Sequence, residues 1–297
     1  MTPIRLFVNP KAGRGSALKA LPQVQGSLRS VGLEIDTHFS DRAGDIESQV
    51  YDAIRGGDDQ VLVAGGDGSF HEAINGLLKA GGTRIGLLPV GTGNDFAKSA
   101  GIPADAESAA LELGQRLASG RTLGVFDAGM CNERYFHNGA GIGIDAKVAR
   151  IASSIHLPIG DLVYAWGIVR CLIDGIATPA MRVTADDELI WEGPTTLANI
   201  ANGRWVGSQF LIAPEADPGD GHFELVIADA VTRRRVISLL PLLLDGRHVD
   251  APEVSTRRVR SLRVECESPI IAHLDGEVQP SASVFDIRCL EGALHLL

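Results

Sequence analysis

The chain lacks both the long hydrophobic runs of a membrane protein and the paired cysteines of a secreted one. No run of about 18 apolar residues occurs, so no membrane span is predicted, and the short stretch from Val236 to Leu244 is expected to pack in a core. The N-terminus leads directly into an apolar strand without the layout of a signal peptide. The four cysteines show no Cys-x-x-Cys spacing, which favours reduced, structural thiols. These absences predict a cytoplasmic protein.

Basic residues are also in deficit, with 27 Lys and Arg against 37 Asp and Glu, and the eight histidines form no metal-binding pair at helical spacing. An acidic chain of this kind is a poor candidate for binding nucleic acid. Two basic clusters stand out, Arg233 to Arg235 and the arginines at 257, 258, 260 and 263. They could contact anionic lipid headgroups in a transient, peripheral encounter with a membrane, or they could be solvated surface arginines.

The most informative segment is residues 61–76, VLVAGGDGSFHEAING, an apolar strand followed by a glycine turn and a helix start. The glycines allow the backbone to approach a ligand closely, and a helix N-terminus attracts phosphate. Ser69 and Glu72 have capping-box spacing, which predicts a helix beginning at Ser69. Asp67 would repel a phosphate unless Mg²⁺ lay between them. The segment predicts a nucleotide-phosphate site that works through a metal.

A second glycine turn follows 20 residues later in IGLLPVGTGNDFA, residues 85–97, where Asn94 or Asp95 is expected to cap the next helix. Ligands bind at the carboxyl ends of parallel strands, so both turns should face one ligand. The predicted nucleotide contacts comprise a cradle and a second wall. They are Gly65, Gly66, Asp67, Gly68, Ser69 and Glu72 in the cradle, and Thr92, Gly93 and Asn94 in the wall.

The chain predicts an α/β plus all-β fold of two domains. Strands alternate with helices as far as residue 119, which indicates a parallel sheet. After about residue 124, short apolar runs alternate with turn residues, and this pattern is typical of a β-sandwich-like domain. Residues 146–175 look helical and interrupt it, with Pro158 breaking the run.

The paired motifs GGDGS and GTGNDFA, followed late in the chain by Asp275-Gly276-Glu277, resemble the catalytic domain of the diacylglycerol kinase family, with its bacterial lipid kinases and sphingosine kinase relatives. The resemblance covers nearly the whole chain. It continues at Asn9-Pro10 with Gly13, at residues 138–145, at Asn202-Gly203, at Pro214-x-Ala216 and at Asp220-Gly221.

This resemblance implies an NAD kinase-like first domain, residues 1–124 completed by the last strand at 285–297, and a lipid-acceptor domain at 125–284. The nucleotide is then expected in the cleft between the domains. It implies a kinase that transfers the γ-phosphoryl group of ATP, with Mg²⁺, to a diacylglycerol-like or sphingoid lipid. An NAD kinase-like enzyme with a soluble substrate, or a nucleotide- or lipid-binding protein without catalysis, are the alternatives. The sequence leaves the oligomeric state open, a homodimer included.

Several residues receive roles from the resemblance, each against a plainer alternative. The catalytic base is expected within the DGE motif, with Glu277 favoured over Asp275, although Asp-Gly is also a strong hairpin signal. Ser40 stands where a threonine of the family contacts the nucleotide, or it is only a turn serine. Asn9 either reaches the ligand or caps its own turn.

The resemblance also implies a role for the acidic turn at residues 217–222. A structural Mg²⁺ is expected there on Asp220, with Asp217 and His222 as carbonyl donors, unless the turn is merely solvated. Asp127 is expected to bridge to Lys11 or Arg14, with an ordinary surface pair as the alternative. Three positions depart from the family pattern. Ser69 stands for the usual threonine and keeps its hydroxyl, and His71 stands for the usual asparagine, which puts one nucleotide or acceptor contact in doubt. The turn after Asn202-Gly203 contains Trp205, which either lines the lipid pathway or belongs to the core.

Overall fold

The computed structural model describes residues 3–155 and 162–297, and the chain divides into two compact units. The first unit contains Met1–Asp127 and Glu291–Leu297, and the second contains Ala128–Leu290. Strands β5 (Gly124–Cys131) and β17 (Ala282–Leu296) each contribute residues to both units.

The first unit is built on a parallel sheet with the strand order β2-β1-β3-β4-β17. The strands in addition to the end of β17 are β1 (Ile4–Val8), β2 (Ile35–Phe39), β3 (Val61–Gly65) and β4 (Arg84–Pro89). All five residues of β3 are buried, as expected of a central strand in a parallel sheet. The predicted alternation of strands and helices is therefore present.

Five helices connect these strands. They are α1 (Ser16–Ser30), α2 (Asp45–Arg55), α3 (Asp67–Lys79), α4 (Asp95–Ser99) and α5 (Ala106–Ala118). A 3₁₀ turn, Ala12–Gly15, precedes α1. Asp105 caps α5 by accepting a hydrogen bond from the Ser108 amide at 2.8 Å, which holds the pKa of Asp105 below its usual value.

Helix α3 corrects the predicted capping box. It begins at Asp67 with Gly66 in the N-cap position, two residues before the expected Ser69, and no side chain caps it. The extended backbone of Gly66 lets the helix start directly from the glycine turn. The Glu72 carboxylate accepts instead from the amides of Gly44 at 2.8 Å and Ile46 at 3.2 Å, at the start of α2. Glu72 therefore caps a neighbouring helix.

In the second unit strand β9 (Glu188–Ala201) pairs antiparallel with β7, β8 and β12, and it belongs to two sheets. One sheet has the order β13-β12-β9-β7-β15-β16, and the other has the order β9-β8-β14-β17. The remaining strands are β6 (Arg134–Phe136), β7 (Gly139–Gly143), β8 (Ala180–Ala185), β10 (Trp205–Val206), β11 (Phe210–Leu211), β12 (Phe223–Asp229), β13 (Val254–Val259), β14 (Ser261–Ile270), β15 (Ala272–Leu274) and β16 (Glu277–Val278).

The core of the second unit lies between faces of these strands and includes the buried rings of Phe136, Phe223 and Phe285. Phe136 and Phe223 approach with ring centroids 5.4 Å apart. Gly129 faces this cluster, since a Cβ there would lie 2.0 Å from the Phe136 ring. A second, smaller cluster contains Ala201, Ile212, Ala213, Ala216 and Val226, so the apolar residues of the strands pack in two groups.

The described part of the second unit contains the helices α6 (Ile144–Ser153), α7 (Leu162–Asp174) and α8 (Arg233–Leu244). The helical prediction for residues 146–175 corresponds to α6 and α7, and Pro158 lies outside the described residues. The expectation for Val236 to Leu244 holds for one face of α8, where Leu239 is buried and Leu243 packs against the core. Ile237 and Leu244 are exposed. No helix in the described part of the chain is both long and apolar enough to cross a bilayer.

The four cysteines, all within the described residues, form no disulfide, and three of them are buried. Burial, with a smaller contribution from Asp286, raises the pKa of Cys131 to about 12, and burial raises that of Cys266 to about 11. Because the thiolate is the reactive form, we expect a thiol reagent at pH 8 to modify at most Cys289 in the native protein and all four after unfolding. Mass spectrometry after timed labelling measures this, and rapid modification of two or more native cysteines would contradict the fold around them.

Candidate functional site

The two glycine turns of the first unit lie directly against each other. A Cβ built on Gly91 would be 2.4 Å from the Gly66 Cα, and one built on Gly66 would be 3.0 Å from the Gly91 Cα. The Val90 amide also donates to the Gly65 carbonyl at 2.9 Å. The turns after β3 and β4 therefore form one backbone surface that only glycine permits.

This contact gives a direct test with a matched control. Gly91→Ala must push the two turns apart, so we expect a loss of nucleotide binding of at least about tenfold together with a lower melting temperature. Gly26 lies within α1, and nothing is within 4 Å of a Cβ built there. Gly26→Ala should leave nucleotide binding unchanged and stabilise the fold by up to about 1 kcal/mol. Equal nucleotide affinity in the two variants, measured by calorimetry, would refute the turn surface as a binding site.

Asp67 links the two turns through its side chain. Its Oδ1 accepts a hydrogen bond from the Asp95 amide at 2.8 Å, at the first residue of α4. The bond orients the carboxylate at the N-terminus of α3, where backbone amides are available for an anion. Asp67 is thus a carboxylate whose orientation is fixed by the first amide of α4.

Asn94 occupies the N-cap position of α4, but its side chain acts on the turn rather than on the helix. Its backbone is left-handed, with φ 52°, and its amide group exchanges hydrogen bonds with Gly91, from the Gly91 amide at 3.2 Å and to the Gly91 carbonyl at 3.0 Å. The expected helix cap is therefore replaced by a closed turn around Thr92 and Gly93, with Thr92 exposed. The two hydrogen bonds between Asn94 and Gly91 fix the shape of the turn that forms the second wall.

The ends of β1 and β2 adjoin the same region of the first unit. Asn9 caps its own turn by accepting from the Lys11 amide at 3.0 Å, and it also donates to the Ser69 Oγ at 3.1 Å. The Ser40 amide donates to the Val8 carbonyl at 3.0 Å, and its side chain is buried. Gly13, with φ +55°, comes so close to the Val90 carbonyl that a Cβ would lie 2.3 Å away. Four strand ends therefore converge on the glycine turns.

His71 and Asp127 are both buried in the first unit. His71 is buried on α3, with its Nε2 3.4 Å from the Asn75 amide nitrogen. Asp127 is almost completely buried, and its Oδ1 accepts from the Gly292 amide at 2.7 Å. This bond ties the end of β17 to β5 within the first unit. The bridge from Asp127 to Lys11 or Arg14 stays a prediction.

In the second unit, the DGE motif forms a two-residue hairpin turn between β15 and β16. Asp275 and Gly276 both have positive φ, 53° and 88°, and Leu274 pairs with Glu277 across the turn. This is the geometry that an Asp-Gly sequence favours in tight hairpins. The motif is therefore a hairpin, and its two carboxylates have different surroundings.

The Asp275 side chain is fully buried and accepts hydrogen bonds from three successive backbone amides. The amide of His137 lies 3.1 Å from Oδ2, and those of Asn138 and Gly139 lie 2.8 and 3.1 Å from Oδ1. The His137 Nδ1 is 2.8 Å from Oδ2. A carboxylate held in this way anchors the hairpin to the start of β7.

Glu277 is exposed, and within the described part of the chain its carboxylate has no hydrogen bond or ion pair. Only its backbone carbonyl is engaged, by the Gln279 side chain at 2.8 Å. Of the two DGE carboxylates, Glu277 is therefore the one that is accessible to a substrate.

A buried polar group for which the sequence predicts no role supports the DGE hairpin. His273 on β15 accepts from the Gly276 amide through Nδ1 at 3.1 Å, and its Nε2 lies 3.5 Å from the Asp145 Oδ2. Asn199 donates to the same Asp145 oxygen at 3.2 Å. Gly141 makes room for the pair, because a Cβ there would be 1.9 Å from Asp145 and 2.3 Å from His273. A histidine within the apolar run IIAHL was the signal that could have indicated it.

The Asn202-Gly203 segment is tied to the same strand start. Asn202 donates to the His137 carbonyl at 2.7 Å, and Asn138 donates to the Trp205 carbonyl at 2.8 Å. Trp205 itself is half-buried in a short pairing of β10 with β11. These bonds place the Trp205 loop beside the residues that hold Asp275.

The acidic turn at residues 217–222 is closed by its own hydrogen bonds and by arginines. Asp217 accepts from the Gly219 amide at 3.1 Å, and Asp220 accepts from the His222 amide at 3.0 Å. The Asp220 Oδ2 lies 2.6 Å from the Arg258 guanidinium, and Arg260 donates to the His222 Nε2 at 3.2 Å. Among the described residues, the side chains of this turn do not form a three-ligand metal cluster.

The arginines of the second basic cluster are largely neutralised. Arg257 pairs with Glu188, Arg258 with Asp220 and Arg263 with Asp286. These ion pairs join residues distant in the chain within the second unit, so they indicate a structural role for the cluster. Arg235 of the first cluster likewise pairs with Glu253.

The described geometry can be compared with known proteins. The family described as diacylglycerol kinase catalytic domain matches residues 3–133, and that described as YegS C-terminal NAD kinase beta sandwich-like domain matches residues 139–297. The chain is 30% identical over 278 residues to a diacylglycerol kinase of Mycobacterium tuberculosis, covering 92% of this chain and 88% of that protein. It belongs to the diacylglycerol kinase family.

A further relative and two solved structures are also similar to the chain. The protein named probable lipid kinase YegS-like from Xanthomonas oryzae is 29% identical over 98% of this chain and 94% of its own length. A crystal structure of a diacylglycerol kinase from Bacillus anthracis has a TM-score of 0.78 at 23% identity, covering 99% of this chain and 96% of that one. A yeast NADH kinase structure has a TM-score of 0.55 at 11% identity, covering 99% and 81%.

These matches confirm the family resemblance and the fold class. A parallel-sheet N-terminal part with NAD kinase-like neighbours is followed by a β-sandwich-like C-terminal part. The diacylglycerol kinase family also supports the assignment of the chain to the kinases. The matches assign no role to individual residues of this chain.

Proposed function

We propose that the protein is a lipid kinase that transfers the γ-phosphoryl group of ATP to the hydroxyl of a diacylglycerol-like or sphingoid lipid. The observation that carries the proposal is the contact of the two glycine turns, where Gly66 and Gly91 meet backbone to backbone. Such a surface offers amides to an anion without any side chain in the way. It suits the phosphates of a nucleotide at the carboxyl ends of parallel strands.

In this proposal the donor is held by the first unit. The amides at the N-terminus of α3 and the closed turn around Gly93 contact the phosphates, and Asn9 supports the turn through Ser69. Phosphoryl transfer depends mainly on positioning and on neutralising charge, and rigid backbone donors do both. The cradle residues Gly65 to Ser69, with Thr92 to Asn94, are thus assigned to the nucleotide.

Asp67 is assigned to a Mg²⁺ ion that accompanies the nucleotide. The residue fits this ion because its carboxylate is an oxygen donor whose Oδ1 is oriented by the Asp95 amide. When bound, Mg²⁺ would neutralise charge on the transferring phosphoryl group. The Asp217, Asp220 and His222 turn fits a second Mg²⁺ poorly, since the Arg258 guanidinium already pairs with Asp220 at 2.6 Å. That structural site stays a prediction, and the reaction proposed here does not depend on it.

The acceptor is activated by the second unit. We assign Glu277 as the base and Asp275 as the anchor, because Glu277 is exposed whereas Asp275 is buried among three amides. The lipid hydroxyl oxygen attacks the γ-phosphorus, the bond from that phosphorus to the β,γ-bridging oxygen breaks, and ADP leaves. The hydroxyl proton passes to the Glu277 carboxylate.

The test is transfer of labelled γ-phosphate from ATP to a panel of acceptors in mixed micelles with Mg²⁺. The panel contains diacylglycerol, monoacylglycerol, phosphatidylglycerol, ceramide and sphingosine, with NAD as a soluble acceptor. We expect label in one lipid class and none in NAD. Label only in NAD would support the soluble-substrate alternative, and ATP binding without label in any acceptor would support a non-catalytic protein.

A further inference from the structure

Helix α7 of the second unit has one buried face and one exposed apolar face. Gly167 and Cys171 face inward, and a Cβ on Gly167 would lie 3.1 Å from the Val148 carbonyl of α6. On the other side, Trp166, Val169 and Ile173 are 52%, 45% and 63% exposed. Their spacing of three and four residues aligns them along one side of the helix. We call these three residues the α7 stripe.

An aligned stripe of this kind differs from scattered surface apolar residues. Single exposed hydrophobic side chains are normal on soluble proteins, but a contiguous apolar face marks an interaction surface. Arg170 lies beside the stripe and pairs with Asp174 at 3.1 Å. A tryptophan and an arginine on an apolar helix face suit a boundary between an apolar and an aqueous phase.

Positive charge lies at the end of the stripe. The Arg233 guanidinium at the start of α8 would be 3.1 Å from a Cβ on Gly175, the residue just beyond α7. Arg233 and Arg234 are both exposed and have no ion pair in the described part of the chain. They contrast with Arg235, which pairs with Glu253. Helix α8 adds exposed Ile237 and Leu244, seven residues apart and therefore on one face.

We propose that the α7 stripe, with Arg233 and Arg234, is the surface with which the protein docks onto an anionic lipid bilayer. The chain carries a net charge of −10, so two unpaired arginines beside an apolar stripe form a local exception that matches negative headgroups. The stripe inserts below the headgroups while the guanidinium groups remain among them. A symmetric contact with a second copy would bring the unpaired arginines of both copies to one interface, which disfavours that occupant.

The same helix also contacts the hairpin that carries the proposed base. The Tyr164 hydroxyl would be 3.5 Å from a Cβ on Gly276, and its ring would be 3.3 Å from a Cβ on Gly207. Docking through α7 therefore brings the Asp275–Glu277 hairpin close to the membrane from which a lipid acceptor comes. This inference deepens the proposed function and rests on it only for the identity of the acceptor.

The experiment is sedimentation with phosphatidylcholine vesicles, with and without phosphatidylglycerol, in the absence of nucleotide. The test variant is Trp166→Ser, Val169→Ser and Ile173→Ser together. The control is Leu18→Ser, Leu111→Ser and Leu189→Ser, which removes three apolar residues exposed elsewhere. We expect the test variant to partition at least tenfold more weakly onto anionic vesicles and the control to bind like the wild type. Equal binding by both variants would overturn the proposal.

A charge arm tests the arginines separately. Arg233→Glu with Arg234→Glu should remove the preference for anionic vesicles, whereas Arg29→Glu with Arg182→Glu, which makes the same change in net charge, should retain it. Loss of the preference in both variants would mean that net charge alone decides binding. A dimeric wild type that becomes monomeric in the stripe variant, by light scattering, would show that a second copy covers the stripe.

Activity on a short-chain, water-soluble diacylglycerol separates this proposal from the proposed function. The stripe variant should phosphorylate it at the wild-type rate, because no interface is needed. If no variant or wild type phosphorylates any acceptor, the kinase proposal fails, while the vesicle result still decides the docking surface. A stripe variant that binds vesicles normally refutes the docking surface even if the kinase proposal holds.

Discussion

Asp67→Asn is expected to lower the rate of phosphoryl transfer about a thousandfold while the fold stays intact. Asparagine keeps an oxygen that can accept from the Asp95 amide, so the bond at 2.8 Å can persist. What disappears is the negative charge that a metal needs beside the phosphates. Losing a charge that stabilises the transition state costs about 10²–10³ in rate, and the loss of the metal adds to this.

Asp45→Asn is the matched control for this variant. Asp45 also accepts backbone hydrogen bonds in the first unit, from the amides of Asp41 at 2.9 Å and Arg42 at 3.0 Å, and these bonds hold the pKa of Asp45 below its usual value. It lies at the start of α2 and has no part in the glycine turns. Its replacement should leave turnover within about twofold of the wild type. Wild-type turnover in Asp67→Asn, measured with saturating ATP and Mg²⁺, would refute the assignment of Asp67.

The second large effect separates the two carboxylates of the DGE hairpin. Glu277→Gln is expected to lower turnover by about 10²–10⁴-fold, because the base is lost, while ATP affinity and stability stay unchanged. Asp275→Asn is expected to lower the free energy of unfolding by about 2 kcal/mol, because one of its amide contacts loses its acceptor and the buried His137 loses a charged neighbour. Steady-state kinetics, ATP calorimetry and urea unfolding give the three readouts.

The two variants also test each other. If Asp275→Asn keeps wild-type stability but loses all turnover, the buried carboxylate is the base and the assignment is reversed. If Glu277→Gln loses ATP binding, the hairpin belongs to the nucleotide and not to the acceptor. Both outcomes would require a different account of the second unit.

The fold of the first unit was accessible from sequence because its signals are local. The apolar run at Val61 to Ala64 and the glycine turn after it predict a buried strand that ends at a ligand site, and the helix follows as expected. The sequence predicts the start of α3 two residues too late, because the spacing of Ser69 and Glu72 matches that of a capping box. Glu72 instead caps α2, 26 residues earlier in the chain, and no local pattern reveals a contact of that range.

In the second unit several features depend on tertiary contacts that local sequence patterns do not predict. The alternating apolar runs after residue 124 predict many short strands, yet two of these runs, VFDIRCL and ALHLL, belong to the single strand β17. Gly292, which lies between the two runs, has a left-handed backbone within this strand. The support of the DGE hairpin by Asp145 and His273 joins residues 128 positions apart, so it depends on the tertiary fold. The exposure of Trp166, Val169 and Ile173 is equally a tertiary property, since the same residues could have formed a core face.

Whether Asp67 and the glycine turns serve lipid phosphorylation is decided by the transfer of label from γ-labelled ATP into the organic phase. The wild-type protein and Asp67→Asn are compared side by side, with diacylglycerol and Mg²⁺. The account predicts a labelled phospholipid from the wild type and about a thousandth of that rate from the variant. Equal label from the two proteins, or no labelled lipid from the wild type with any acceptor of the panel, would contradict it.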